Sequence, residues 1–462
     1  MRRNDFDRYA KAVQTITSES LRQATKEEAQ GIPISNPAIR LLKKHVHAGT
    51  ARVQGSNQSR YQLRSQIWST SIRKGPPSLW ITVNPSDLHD PIAQVLAGEQ
   101  INLDAFIATE GPTKDTRAQN VANDPFAASK FFLFVIDAML ETLFGIKVTQ
   151  YQVQSKMGIF GKVAAYFGTV ESQGRGTLHL HILVWLWFTP SADEITALFK
   201  KEAFRQRVVD YIRANIRAYL PGFETTSSVK GIAKNAEAAY SRPPNPSSSN
   251  FEEQCQEKEH ELARTEQIHT CKPRRCLVTN RNGVLACKRC APFRISEDDI
   301  AHENGDWACK RLYAYVNAWN PHIMVNLHCN NDIKLLANGS HTRKISFYVT
   351  AYAAKKQGQN HNTSAILERT YAYHNQHLTP QATLDIRKRH ELLMTRLMNT
   401  LLKEQELAAV MVIAYLMGWG DIFKSHHYTP LFWSTFVRHL MDTFTELGGK
   451  YSQRRHFMYN LP

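Results

Sequence analysis

Two short motifs in this 462-residue chain have the residue types and spacing for chemistry on a phosphodiester. The first is His179-Leu180-His181, set in an apolar run from Leu178 to Phe188. In an extended strand alternate side chains share a face, so both imidazoles stand side by side while Leu178, Leu180, Ile182 and Val184 face the other way. Two imidazoles so placed can hold one divalent cation. An upstream strand over about Val163–Glu171 ends near enough to add an oxygen ligand from Glu171, with Gln173 as a second candidate. Such a set leaves coordination positions open for a phosphate oxygen. The bland alternative is two hydrogen-bonded histidines with no metal, and the triplet alone does not decide between them.

The second motif is Tyr348-Val349-Thr350-Ala351-Tyr352-Ala353-Ala354-Lys355, in a stretch whose composition suits a helix over about Thr342–Lys356. Residues four apart lie on one helical face, so both phenols would meet one site. A tyrosine hydroxyl can attack a phosphodiester, giving a 5′-phosphotyrosine and a free 3′-OH. Lys355 could assist the leaving group. Two half-buried aromatics on an amphipathic helix are the structural alternative.

A third cluster is His269-x-Cys271-x4-Cys276-x10-Cys287-x2-Cys290. Cys287 and Cys290 have knuckle spacing, Cys271 and Cys276 could complete a four-cysteine zinc site, and His269 could replace one of them. Free thiols in a loop are the other reading. The remaining cysteines, Cys255, Cys309 and Cys329, have no evident partner in this pattern.

The charge balance points to a polyanion. There are 57 Lys and Arg against 41 Asp and Glu, a formal net charge of +16. No acidic residue occurs from Ala29 to Ser86, a span holding Arg40, Lys43, Lys44, Arg52, Arg60, Arg64, Arg73 and Lys74. A second acid-free stretch includes Cys271 to Arg294, with Arg274, Arg275, Lys288 and Arg289 among its cations. Arg60, Arg64, Arg73, Lys74 and the latter four are the candidate DNA contacts. No apolar run reaches the ~18–20 residues of a membrane span, and the N-terminus lacks a secretory pattern. An intracellular, non-secreted chain with reduced cysteines and no membrane partner is expected.

The elements that must position these groups follow from periodicity and breakers. Residues 1–77 read as a basic helical region, broken at Gly31-Ile32-Pro33 and ended by Gly75-Pro76-Pro77. Ser78–Val83 reads as a buried strand, Asp124–Phe144 as a helix, and Val163–Glu171 with Leu178–Phe188 as a hairpin. A helix capped by Ser191 runs over about Ala192–Ala218, then a Pro- and Ser-rich linker at Arg242–Ser249, then the cysteine segment. Strand character returns at His322–Leu327, and a long helical run covers Gln381–Leu416. The order strand, helix, hairpin, helix, strand, helix predicts an α+β fold, a split βαβ or ferredoxin-like antiparallel sheet with helices on one face. The expected organisation is 1–77 helical, 78–235 first part of the core, 236–300 linker and zinc insertion, 301–360 the rest of the core, and 361–462 helical.

Taken together the motifs resemble the Helitron helicase-like (Rep) domain of rolling-circle transposases. Leu79-Trp80-Ile81-Thr82-Val83-Asn84-Pro85 looks like that family's first strand motif, and Gly158-Ile159-Phe160-Gly161 like the lead-in to its histidine motif. Glu171 to His181 is similar to the histidine motif itself, with Leu178 where the family usually has proline. Asn317 to Ile323 resembles the stretch before the last core strand, and Tyr348-x3-Tyr352-x2-Lys355 the two-tyrosine helix. The resemblance covers roughly 78–360. It implies an HUH endonuclease core, His179 and His181 as ligands of Mg2+ or Mn2+, Tyr348 and Tyr352 as nucleophiles, and nicking of single-stranded DNA at transposon ends in the nucleus. Full relatives continue into a helicase, yet this sequence holds no G-x-x-x-x-G-K-[ST] loop. A helicase domain or separate helicase would then be a partner. The alternative is a catalytically inactive or domesticated DNA-binding derivative.

Overall fold

The computed structural model describes residues 3–149, 153–172, 176–280, 283–336, 362–378, 385–429 and 433–444. The chain forms two compact units, Met1–Ser425 and His426–Pro462. In the second unit the described residues include one helix, Trp433–Thr443.

The first unit is built on a mixed α and β core with an antiparallel sheet. Its strands run, from one edge to the other, Asn330–Leu335, Leu79–Asn84, Leu178–Leu186, Gly161–Ser172 and Ile422–Lys424, and Met157–Gly158 also pairs with Gly161–Ser172. For brevity we call Leu178–Leu186 the histidine strand and Gly161–Ser172 the glutamate strand. Every pairing is antiparallel. Strand alternation splits the side chains into two faces. Leu79, Ile81 and Val83 share one face with Leu180, Ile182 and Val184, with Tyr166 and Val170, and with Ile333. The helix Pro125–Ala138 covers it with Ala128, Phe132 and Ile136, and Glu202–Asn215 adds Ile212. Each fully buried aliphatic here contributes about 1.5–3 kcal/mol. Gly168 lies opposite Ile182, where a Cβ would meet Leu180 Cδ1 at 2.9 Å and Phe423 Cβ at 3.4 Å. The bare backbone lets the outer strand Ile422–Lys424 close on the sheet.

The capping chemistry agrees with the sequence at several points. Asp124 caps the helix Pro125–Ala138 by accepting the Ala127 N–H at 2.9 Å, and Pro125 occupies its first turn. Ser191 and Glu194 form a reciprocal capping box. The helix begun there is shorter than expected: it stops at Phe199, and a second helix, Glu202–Asn215, begins after a break at Lys200-Lys201. The region before Gly75 is four helices, Arg3–Gln14, Ser18–Ala29, Pro37–Thr50 and Asn57–Lys74. The run Gln381–Leu416 is likewise divided, into Ile386–Lys403 and Ala409–Leu416. Leu21, Ile39, Leu42 and Val46 share a second core with Leu367, Leu393 and Leu397, so early and late helices pack as one body.

The expected strand at His322–Leu327 is corrected. Pro321–Leu327 is a helix, because Asn320 accepts the Ile323 N–H at 2.9 Å and Pro321 presets the first turn. That start signal outweighs the strand-like composition of Ile323, Met324 and Val325. His328, at φ +46°, ends the helix, and the sheet strand follows at the polar sequence Asn330–Leu335.

Arg60 shows how the helical region is tied to the sheet. It is 1% exposed, donates to the Val170 carbonyl at 3.1 Å and pairs with the buried Asp421 carboxylate. The expectation that Arg60 contacts DNA is therefore corrected: its charge is neutralised inside the fold. Breaking such a buried pair from one side leaves an uncompensated charge and costs about 3–5 kcal/mol. Arg60→Ala and Asp421→Ala should each lower stability by that order in urea denaturation of the full chain. The double change Arg60→Met with Asp421→Leu should cost clearly less than either; additive losses would contradict this account.

Candidate metal centres and DNA-facing surfaces

The opposite face of the sheet carries the first centre. The register sets Glu171 directly across from His179, Thr169 across from His181, and Thr82 across from His181 on the other side. The Glu171 Oε2 atom lies 3.6 Å from His179 Nε2 and 3.7 Å from His181 Nε2. All three side chains are buried, and their ligand atoms fall within 4.8 Å of one another. Neighbouring ligands on an octahedral ion with 2.0–2.1 Å bonds are about 3 Å apart, so each imidazole would have to close on Glu171 by roughly 0.6–0.7 Å to complete the set. The donors, two nitrogens and one carboxylate, fit a transition or alkaline-earth cation with positions left open.

Two residues of the Leu79–Pro85 motif to which the sequence assigned no role hold His181 in place. The Thr82 hydroxyl is 2.9 Å from His181 Nδ1, and the Trp80 indole stacks on the imidazole with centroids 5.3 Å apart and planes within 3°. With Nδ1 occupied by Thr82, Nε2 is the nitrogen aimed at Glu171, an arrangement in which the outer partner orients a ligand imidazole. The parity of Trp80 and Thr82 within their strand was legible; the register that brings them to His181 was not. On the apolar side of the sheet, Asp87 lines a small cavity with Phe132, Gly176 and Leu178, at the foot of the histidine strand. Burial pushes its carboxyl up to about 6, against weaker lowering by backbone N–H groups.

The second centre is in the cysteine segment. His269, Cys271, Cys276 and Cys287 bring one ligand atom each within 4.8 Å of the others, with Cys287 Sγ 3.2 Å from His269 Nε2. Edges of a tetrahedral zinc–thiolate site are about 3.7 Å, close to this spacing. The hairpin Leu277–Thr279 with Leu285–Cys287 positions the last ligand. The Lys272 N–H points at Cys276 Sγ at 3.1 Å and the Arg289 N–H at Cys287 Sγ at 3.4 Å. Burial works to raise the Cys287 pKa, but the Arg289 and Ala291 N–H groups and the neighbouring thiols outweigh it and hold it below the ordinary value. The group could hold a metal such as zinc. Cys290 is not in it: this residue sits at φ +60° on the turn after Cys287 and is exposed, and His269 takes the fourth place.

The remaining candidates divide. Arg73, Arg274, Arg275, Lys288 and Arg289 are exposed, Arg64 is half-buried over the Tyr61 ring, and Lys74 lies 4.8 Å over the Trp187 ring. Lys43, in the same acid-free span, is paired with Glu28 at 2.9 Å. Tyr348, Tyr352, Lys355 and Gln173 lie outside the described residues, as does the expected helix Thr342–Lys356. Among the described residues, no helix is long and apolar enough to cross a membrane.

An antiparallel sheet with a buried two-histidine, one-carboxylate cluster, beside a cluster of three cysteines and one histidine in a basic segment, defines a mixed α and β protein with two candidate metal centres. Residues 1–184 match the family model described as the Helitron helicase-like domain at the N-terminus, which bears out the resemblance read from the motifs. The match points to a transposase-related function and to an association with DNA. The matched segment includes the first strand and His179-Leu180-His181, and ends before the cysteine cluster and Tyr348. No curated protein matches the chain.

Two expectations follow. Thr82→Val keeps the shape but removes the partner of His181 Nδ1, so Mn2+ affinity measured by electron paramagnetic resonance should fall about 10–100-fold; an unchanged affinity would remove Thr82 from the site. Purified protein should carry one zinc per chain by elemental analysis. Cys271→Ala should lose it, whereas Cys290→Ala should retain it.

Proposed function

We propose that the protein nicks and rejoins single-stranded DNA at transposon ends through a 5′-phosphotyrosine intermediate, as the nuclease module of a Helitron-type transposase. The observation that carries this reading is the convergence of His179, His181 and Glu171 on one buried point of the sheet face. The core is read as ferredoxin-like and of the HUH endonuclease type. In support, four strands taken in chain order, Leu79–Asn84, Gly161–Ser172, Leu178–Leu186 and Asn330–Leu335, pair in the spatial order fourth, first, third, second, with covering helices in the two crossovers.

Glu171, His179 and His181 would hold Mg2+ or Mn2+. Bound there, the cation would supply positive charge to the non-bridging oxygens of the scissile phosphate. Tyr348 or Tyr352 would attack phosphorus with its hydroxyl oxygen, losing its proton and forming the tyrosyl–phosphate bond as the bond to the 3′-oxygen breaks. Lys355 would assist that oxygen as it leaves with a proton. Reversal by a 3′-OH would rejoin the strand, and a second tyrosine would let one DNA end stay held while another is cut. Zinc on Cys271, Cys276, Cys287 and His269 would brace the hairpin that displays Arg274, Arg275, Lys288 and Arg289 to phosphates. Arg64, Arg73 and Lys74 would contact the same strand. The activity would be exercised in the nucleus, with a helicase supplying single strands.

The test is a labelled single-stranded oligonucleotide incubated with Mn2+ and resolved on a denaturing gel. A covalent adduct is expected, lost when Tyr348 and Tyr352 are both changed to Phe, and reduced at least about a hundredfold by His179→Ala with His181→Ala. Binding without cleavage would indicate a DNA-binding derivative. Cleavage without an adduct would indicate a metal phosphodiesterase with no covalent step.

A further inference from the structure

The histidine strand ends in an exposed aromatic pair that the motifs do not account for. Trp187 is 46% exposed and Phe188 is 92% exposed, an unusual position for a bare phenyl ring. Their centroids are 6.3 Å apart and their planes tilted by 48°, so they do not stack on each other. Phe188 stands at φ +62°, a left-handed conformation that bulky residues rarely adopt and that glycine would take without strain. Held strain of this kind is concentrated at functional positions.

The surroundings are cationic. Lys74 Nζ lies 4.8 Å from the Trp187 ring centroid and Lys162 Nζ lies 5.9 Å from it. The Trp187 backbone N–H donates to the Lys162 carbonyl at 2.9 Å, which ties the aromatic pair to the glutamate strand. Exposed Arg73 precedes Lys74 on the last turn of its helix. The nearest acid along the chain with a described side chain, Glu194, is engaged in the Ser191 capping box.

We infer that Trp187 and Phe188, with Lys74 and Lys162, form a base-stacking site for single-stranded DNA at the far end of the histidine strand. Aromatic rings set among cations are the common means of gripping single strands, the rings taking bases and the cations taking phosphates. Phe188 is the stacking ring, and Trp187 is the ring against which the lysines are arranged. Trp187 lies six positions beyond His181, about 20 Å of extended chain, so the site would grip DNA away from the scissile phosphate. It would set affinity and leave the chemistry at the metal centre alone. The inference rests on the single-stranded DNA reading proposed above.

The test uses the full chain and Phe188→Gly, which removes the ring and relaxes the backbone. Fluorescence anisotropy compares a labelled 20-mer oligothymidine with an abasic strand of equal length. Wild type should prefer oligothymidine by about 5- to 150-fold, the range for one stacked base, and Phe188→Gly should bind both strands alike. Thermal stability of Phe188→Gly should be unchanged or raised. Trp187→Ala with Phe188→Gly should weaken oligothymidine binding at least as much. Wild-type preference kept in Phe188→Gly would overturn the inference and leave the proposed function standing. Wild type binding no single strand would sink both. A wild-type dimer in sedimentation velocity that becomes monomeric in Phe188→Gly would assign the ring to a second copy of the chain and overturn the stacking site.

Discussion

One antiparallel register governs the candidate metal centre: Glu171 opposite His179, and Thr82 opposite His181. Side chains alternate with a period of two, so a slip of a single residue would turn both imidazoles into the apolar layer and Leu180 and Ile182 out of it. The same apolar alternation that drives burial of Leu180, Ile182 and Val184 therefore forces His179 and His181 together on the other face. Burial of polar groups there is only partly offset within the protein: the Thr82 hydroxyl meets His181 Nδ1 and the Trp80 indole stacks on its ring, while Glu171 Oε2 stands 3.6 and 3.7 Å from the two Nε2 atoms, too far for a hydrogen bond.

The second dependence is between the sheet and the helices around it. The helix Asn57–Lys74 approaches the metal face of the sheet, where Trp185 Nε1 donates to the Gly75 carbonyl at 2.9 Å. Its Arg60 reaches both the glutamate strand and Asp421. A stretch with no acid in 58 residues thus finds a counter-charge 361 positions away. The basic character of that stretch divides into cations that hold the fold and cations left for a ligand, and sequence composition does not separate them.

Local rules carried the sequence reading far at the hairpin, at Asp124 and at Ser191, where turn and cap residues act on neighbours. They failed at His322–Leu327 because an Asn-Pro start signal competes with strand-like composition, and only the cap decided. They also failed at Asn330–Leu335, where burial of Asn331 and Ile333 is a tertiary fact with no local mark. At the site, His179, His181 and Glu171 were readable from alternation across a short loop. Trp80 and Thr82 required knowing which strand lies beside which. In the cysteine segment spacing identified five candidates, but which four converge depends on the turn at Cys290.

The order of strands has a consequence for how this protein can be divided. The segment that matches the family model supplies the centre of the sheet, yet both flanking strands, Asn330–Leu335 and Ile422–Lys424, arrive from far beyond it. Cut after the match, the core would present two raw edges, lacking the hydrogen-bond partners that keep a sheet from recruiting foreign strands. The span recognised by homology is thus smaller than the span that can fold cooperatively. An excised fragment of it should gather into aggregates where the full chain does not.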